Sequence, residues 1–425
     1  MTVIALMAAC SALLVQGCGS KPKDEEPPPL PECPVLEWTE PPACGSGSYD
    51  WASLIPGPGE ADHDADLALE ARKHDRQFHA FNAHGTDVNA DVAVPLEMTE
   101  ERALIEEFIG ETDGWDFEAW SGRAVTDVVG SWQKVAGLYA GAGIAADAFR
   151  YGTLRDQGAD CDEIETARRH LIAGMDALHL AAAITGAEGS IARGFMRTDL
   201  PGTLPETVPL FDGSGNPLPE EKNNGTWRED SSGGLYPDYI WEDSCSRDMY
   251  IGWALAIASV WEVVRLDPGI PQARKDTLQA DAAALARGLM IVRESGFDLE
   301  IWDPDGRRTY HGVLHEEAFD RIYLPPSKNG QHAVMALGIV AALAFAAEQE
   351  DIDAYLWNDL VRERELHVHA RDMLGVVDAG VRSNYSNYNM AFIGIWLAHR
   401  YLCDPEVRAV LQDAAGEGLY DRPGR

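Results

Sequence analysis

The chain has 425 residues, 45% of them hydrophobic, and its 70 acidic against 34 basic residues give a net charge of −36. So negative a field repels polyanions, which argues against a nucleic-acid partner and favours a soluble monomer. With a leader and tether set aside, the length suffices for one core of about 350 residues.

Thr2 to Val15 is an apolar run too short to span a bilayer, and it ends in Leu14-Val15-Gln16-Gly17-Cys18, which resembles a bacterial lipobox. Residues 1–17 therefore read as a lipoprotein signal peptide, with Cys18 as the diacylated mature N-terminus. No Lys or Arg precedes Cys18, so the usual basic start of such a signal is missing. Residues 18–59, with the stretch KPKDEEPPPLPE, read as a proline-rich tether, and residues 60–425 as the folded domain. Five cysteines follow the anchor: Cys33, Cys44, Cys161, Cys245 and Cys403. Cys33 and Cys44 are near neighbours and form the expected bridge, the odd count leaves at least one free thiol, and Cys245 reads as a small packing residue. With no CxxC and no cysteine-histidine spacing of the zinc type, neither metal nor cofactor is expected.

From Asp62 the pattern is helix after helix: 62–83, 100–111, 127–155, 161–185, 244–266, 272–294, 331–348, 352–374, 387–403 and 405–417. The clear exception is Leu299 to Val313, a β-hairpin turning at Asp305-Gly306, and the turn accounts for Asp303 and Asp305. Asp62, Asp64 and Asp66 imitate a calcium loop, but Leu67 stands where glycine is needed and Lys73 where the last acid belongs. His74, His79 and His84 fall on drifting faces of one helix and read as solvated or capping residues. His311 and His315 lie beside the hairpin rather than on a helix, which argues against a metal pair there.

Links between helices alternate. Short ones follow Arg155, Leu266, Glu348 and Cys403, whereas 187–243, 295–330 and 375–386 are long. This predicts antiparallel pairs with all elaborated loops on one face. The first helix of each pair is the more apolar and small-sided, as in GLYAGAGIAADAF and AVMALGIVAALAFAA, and is expected inside. The stretch from Trp241 to Val264 is one such helix, with a polar head of Glu242, Asp243, Ser244, Arg247 and Asp248 where a helix dipole favours anions.

The alternation, together with Ile191 to Phe195, Ser246 to Tyr250 and the hairpin containing Trp302, resembles the six-hairpin glycosidase-like (α/α) toroids found among glycoside hydrolases, polysaccharide lyases and sugar epimerases. The resemblance implies an all-α, (α/α)6-type toroid with a small β-hairpin insertion over residues 60–425, and a site where long loops enter the inner helices. A cleft there suits an oligo- or polysaccharide, because aromatic rings stack on sugar C–H faces while polar groups bind hydroxyls. The substrate-binding candidates are Arg193, Arg197, Trp227, Tyr239, Trp241, Asp243, Arg247, Tyr250, Asn384, Tyr385, Asn387 and Tyr388.

Glycoside hydrolysis needs two carboxyl groups across the scissile bond. Asp248 is the first candidate, with Arg247 holding a neighbouring acid ionised, and Glu316 and Asp378 are the candidates to face it from other loops. The sequence thus reads as an envelope-anchored carbohydrate-active protein, hydrolytic in the first reading. The alternatives are a uronate lyase using Tyr, Asn and Arg from Asn384 to Asn389, or a glycan-binding or structural lipoprotein without catalysis.

Overall fold

In the computed structural model, residues 28–31, 33–46, 63–111, 114–373 and 385–421 are described. The chain divides into a first unit ending at Pro31 and a second from Glu32 to Arg425. Everything below concerns the second. Cys18, Asp113, Asp378, Arg382 and Asn384 lie outside the described residues.

The elements, in chain order, begin with α1 (Ala65–Gln77), a π-helical turn (Phe78–Asn82), β1 (Ala90–Ala93), α2 (Thr99–Glu111), α3 (Phe117–Ser121), α4 (Val125–Val128) and β2 (Ser131–Ala136). Then come α5 (Gly137–Asp156), α6 (Cys161–Ala183), β3 (Gly194–Arg197), β4 (Trp227–Glu229), β5 (Tyr239–Glu242), α7 (Arg247–Val264) and α8 (Gln272–Met290). The hairpin β6 (Glu300–Trp302) and β7 (Arg308–Val313) precedes β8 (Ala318–Phe319), β9 (Ile322–Tyr323), α9 (Gly330–Ala347) and α10 (Glu350–Ala354). A π-helical segment (Tyr355–Glu363) leads to α11 (Leu366–His369), α12 (Tyr385–Tyr401), α13 (Pro405–Asp413) and a last π-helical segment (Ala414–Tyr420).

The paired helices are present, and several begin at caps the sequence announces, although α5 starts only at Gly137 and the helix expected over 352–374 is divided into α10, a π-helical segment and α11. Asp160 caps α6 through Asp162 and Glu163 N–H, Asn329 caps α9 through Gln331 and His332 N–H, and Asp404 caps α13 with Pro405 in its first turn. The inner helices pack in succession, α5 on α7, α7 on α9 and α9 on α12. α9 is long and apolar enough to cross a membrane, yet almost all of it is buried within the fold, so it is the central core helix.

Glycines set the closest of these crossings. A Cβ at Gly141 would lie 2.0 Å from Gly252 O, and one at Gly252 would lie 2.4 Å from Gly137 O and from the Leu138 Cα. The α5 and α7 backbones therefore touch directly, and α9 and α12 do the same at Gly338 and Gly394.

The all-α expectation is overturned. Five strands form an antiparallel sheet in the order β1-β2-β3-β5-β4, with two further two-stranded sheets, so the fold mixes helix and sheet and is not an all-α toroid. The sheet is assembled from regions read as loop or helix: three of its strands lie between α6 and α7, and β2 occupies the start of the helix predicted over 127–155. The β6–β7 hairpin forms as predicted, with Trp302 opposite Arg308.

The bridge expected between Cys33 and Cys44 does not form. Cys33 pairs with Cys403 at the end of α12, and Cys44 with Cys161 at the start of α6. Between them Pro34, Pro41 and Pro42 favour extended backbone, which keeps the two cysteines apart. This segment, read as tether, belongs to the folded unit: the Arg155 guanidinium lies 5.2 Å from the Trp38 ring centroid, and Gly45 N donates to Ala159 O at 2.8 Å. It runs along the short-link end of the helices, and Cys245 stays free and buried, as expected.

Candidate functional site

The head of α7 is built from two long connections, 187–243 and 295–330. Ser244 adopts a left-handed conformation with φ 60°, held by its N–H to Asp303 Oδ2 at 2.9 Å and by its Oγ, which accepts from Tyr310 N at 2.8 Å. Behind it Lys222 Nζ sits among three buried carboxylates, 2.8 Å from Asp243, 2.9 Å from Asp303 and 3.1 Å from Asp305. Arg228 adds a 2.6 Å contact to Asp243, and Arg307 one of the same length to Asp305. Burial raises the Asp303 carboxyl to about 7 against the pull of Lys222, with Asp243 pushing the same way. Asp305 stays below its usual value because Arg307 and Lys222 outweigh its burial. This knot ties the 219–226 loop, the β6–β7 hairpin and α7 together, with Asp243 held inside it by Lys222 and Arg228, and Asp303 and Asp305 do more than make a turn.

The residues proposed for catalysis are held apart by different partners. Asp248 is half-buried and accepts from Ser246, whose Oγ accepts from Arg193 Nη1 at 2.6 Å. Arg247, expected beside an acid at this head, instead reaches Asp320 at 3.1 Å. Glu316 is fully buried, bound by Arg364 and, at 3.1 Å, by Lys328. Burial would raise its carboxyl, but Arg364 overcomes this and holds it down at about 2. Such a carboxylate is fixed as an anion and cannot supply a proton at neutral pH. Asp248 and Glu316 share no partner among the described residues.

The binding candidates divide similarly. Trp241 and Tyr250 are core, donating to Glu229 O at 3.0 Å and Leu285 O at 3.1 Å. Arg197 grips Asp199 at 2.7 Å and Gly85 O at 2.7 Å, and the Tyr239 hydroxyl points at the same carbonyl. Tyr388 is buried, Tyr385 is exposed, and the Asn387 carbonyl accepts from Gln331 at 3.1 Å. Trp227 borders an open groove of about 650 Å³, together with Asp91, Ser131, Gln133, Lys134, Met196 and the 202–205 loop, and Tyr250 borders a smaller one of about 410 Å³ with Trp302. Lys134 Nζ donates to Glu242 at 2.9 Å beside it. A cleft of about 720 Å³ among α5, α12 and α13 is lined mainly by apolar side chains, including Phe149, Phe392 and Trp396.

One further cluster went unread in the sequence. His79, Asp147 and His170 bring one potential ligand atom each to within 4.8 Å of the others, the sole such group among the described residues. His79 lies in the π-helical turn after α1, so a helical-wheel reading of 62–83 misplaces it. Burial disfavours the charged form of both rings. At His79 the Asp147 and Asp75 carboxylates outweigh burial and raise the imidazole, whereas at His170 burial, reinforced by His79, pushes it down to about 3.

No protein-family model, no curated protein and no solved structure matches this chain.

Proposed function

We propose that this protein is an envelope-anchored glycan-binding protein whose binding surface is the groove beside Trp227. The observation that carries the reading is the composition of that groove: Trp227 at its wall and the polar side chains of Ser131, Gln133, Lys134 and Asp91 around it. Sugars present apolar C–H faces and hydroxyls together, and this surface complements both. Binding is preferred to hydrolysis because Glu316 is committed to Arg364 and Lys328. The prediction is that Trp227→Ala lowers affinity for neutral oligosaccharides at least about tenfold by calorimetry without changing the melting temperature. Reducing-end release by the wild-type chain would restore the hydrolase reading, and absence of binding across a glycan panel would remove the binding one.

The anchor at Cys18 belongs to the same proposal, supported by the lipobox-like residues 14–18 and by two disulfides, which suit an oxidising compartment. Cys18→Ser should move the protein from the membrane fraction to the soluble one and abolish incorporation of labelled palmitate. Labelling retained in that variant would refute the anchor.

A further inference from the structure

The cluster at His79 is built differently from the ion pairs elsewhere in the molecule. Asp75 closes α1, His79 follows in the π-helical turn, Asp147 comes from the middle of α5 and His170 from α6, so three elements converge. The His79 side chain is 7% exposed, and its Nε2 lies 3.0 Å from Asp147 Oδ1 and 3.3 Å from Asp75 Oδ1. The two imidazoles stack with centroids 3.5 Å apart and planes 12° from parallel, and the buried Nδ1 of His170 has no hydrogen-bond partner. A buried ring nitrogen left without a partner is costly, and His170 Nδ1 is one, stacked on an imidazole that two carboxylates already flank.

We propose that His79, His170, Asp147 and Asp75 form a binding site for a divalent transition-metal ion of the zinc type. Two imidazole nitrogens with carboxylate oxygens make a borderline donor set, suited to zinc, cobalt and nickel rather than to calcium or magnesium, which take oxygen ligands. Ligands at zinc bond lengths sit about 3.4 Å from one another, so the donor atoms of His79, Asp147 and His170, already within 4.8 Å, close on an ion once the stacked rings tilt until their nitrogens converge, and Asp75, which lies against His79, completes the set. The outer layer is also present. Arg150 Nε holds the other oxygen of Asp75 at 3.1 Å while its guanidinium lies 4.7 Å from the Trp115 ring centroid, and Trp115 and Phe78 set ring edges against the histidines. Four protein ligands leave no open coordination position, which makes the site structural: it staples α1 to the α5–α6 pair. The site is independent of the glycan groove.

The test uses the full-length protein after chelator treatment. ZnCl2 should bind with one-to-one stoichiometry by calorimetry and raise the melting temperature, CoCl2 should give the intense visible bands of four-coordinate Co(II), and CaCl2 should do neither. His170→Ala and Asp147→Asn should each weaken zinc binding at least about tenfold while melting in chelator like the wild type, and His399→Gln should bind normally. A wild-type chain that gives no Co(II) bands and no zinc-dependent rise in melting temperature overturns the proposal whatever the variants do. Full zinc affinity in both His170→Ala and Asp147→Asn overturns it as well.

Discussion

Lys222→Met is expected to destabilise the protein by about 3–5 kcal/mol, because it removes the cation from among three buried carboxylates without removing the charges it compensates. Asp243 and Asp305 retain Arg228 and Arg307, whereas among the cations Asp303 is contacted by Lys222. The loss should also depend on pH. With its carboxyl raised to about 7 in the fold, Asp303 binds a proton more tightly folded than unfolded. Such a group stabilises the fold below its unfolded value of about 4, and that contribution is lost as pH rises through 7. Without Lys222 the carboxyl rises further, so thermal melting at pH 5 should show a smaller deficit than at pH 8. A deficit equal at both values, or below about 1 kcal/mol, would mean that the three acids are not held as described.

Gly252→Ala should cost about 3 kcal/mol or more, although alanine is the better helix former by about 1 kcal/mol. The added methyl would stand 2.4 Å from backbone atoms of Gly137 and Leu138, and backbone cannot rotate aside as a side chain can. The two helices would have to separate and loosen the apolar seam around Ile144, Trp253 and Ala256. Gly110→Ala in α2 is the matched control: nothing lies within 4 Å of its Cβ, so the same substitution should stabilise by about 0.5–1 kcal/mol. Comparing the two melting temperatures tests whether the α5–α7 crossing is as close as it stands. Equal effects of the same sign would exclude it.

The helices were legible because their apolar patterns extend over several turns and their caps are conventional, as at Asp160, Asn329 and Asp404. The alternation of tight and long links survives in the structure. What the sequence hid was the sheet. Its strands are three to six residues long and are joined by loops as long as the one from Arg197 to Trp227, so no window holds enough alternation to stand out from loop. Ser131 to Ala136 lies between Gly130 and Gly137 and runs directly into α5, and these two glycines are the signal that separates the strand from the helix.

Site residues were legible by type but not by partner. Glu316 looks like any acid in a loop, and only the fold places Arg364, some fifty positions on, against it. His79 was masked by the π-helical turn, which shifts it off the regular wheel, and Asp147 by the small apolar residues around it. An aspartate inside an otherwise apolar inner helix was the one available signal.

The cysteine pairing has a consequence for how the chain reaches this structure. Synthesis runs from the N-terminus, so Cys33 and Cys44 meet each other well before Cys161 emerges and long before Cys403 does. Until then each lacks its native partner, and the prolines between them, by holding the backbone extended, disfavour the early non-native bridge. Burial raises the Cys245 thiol well above its normal range, so once packed it is a poor nucleophile toward either bridge. Correct maturation therefore depends on the order in which the cysteines become available, with both bridges waiting on segments made much later than their first halves.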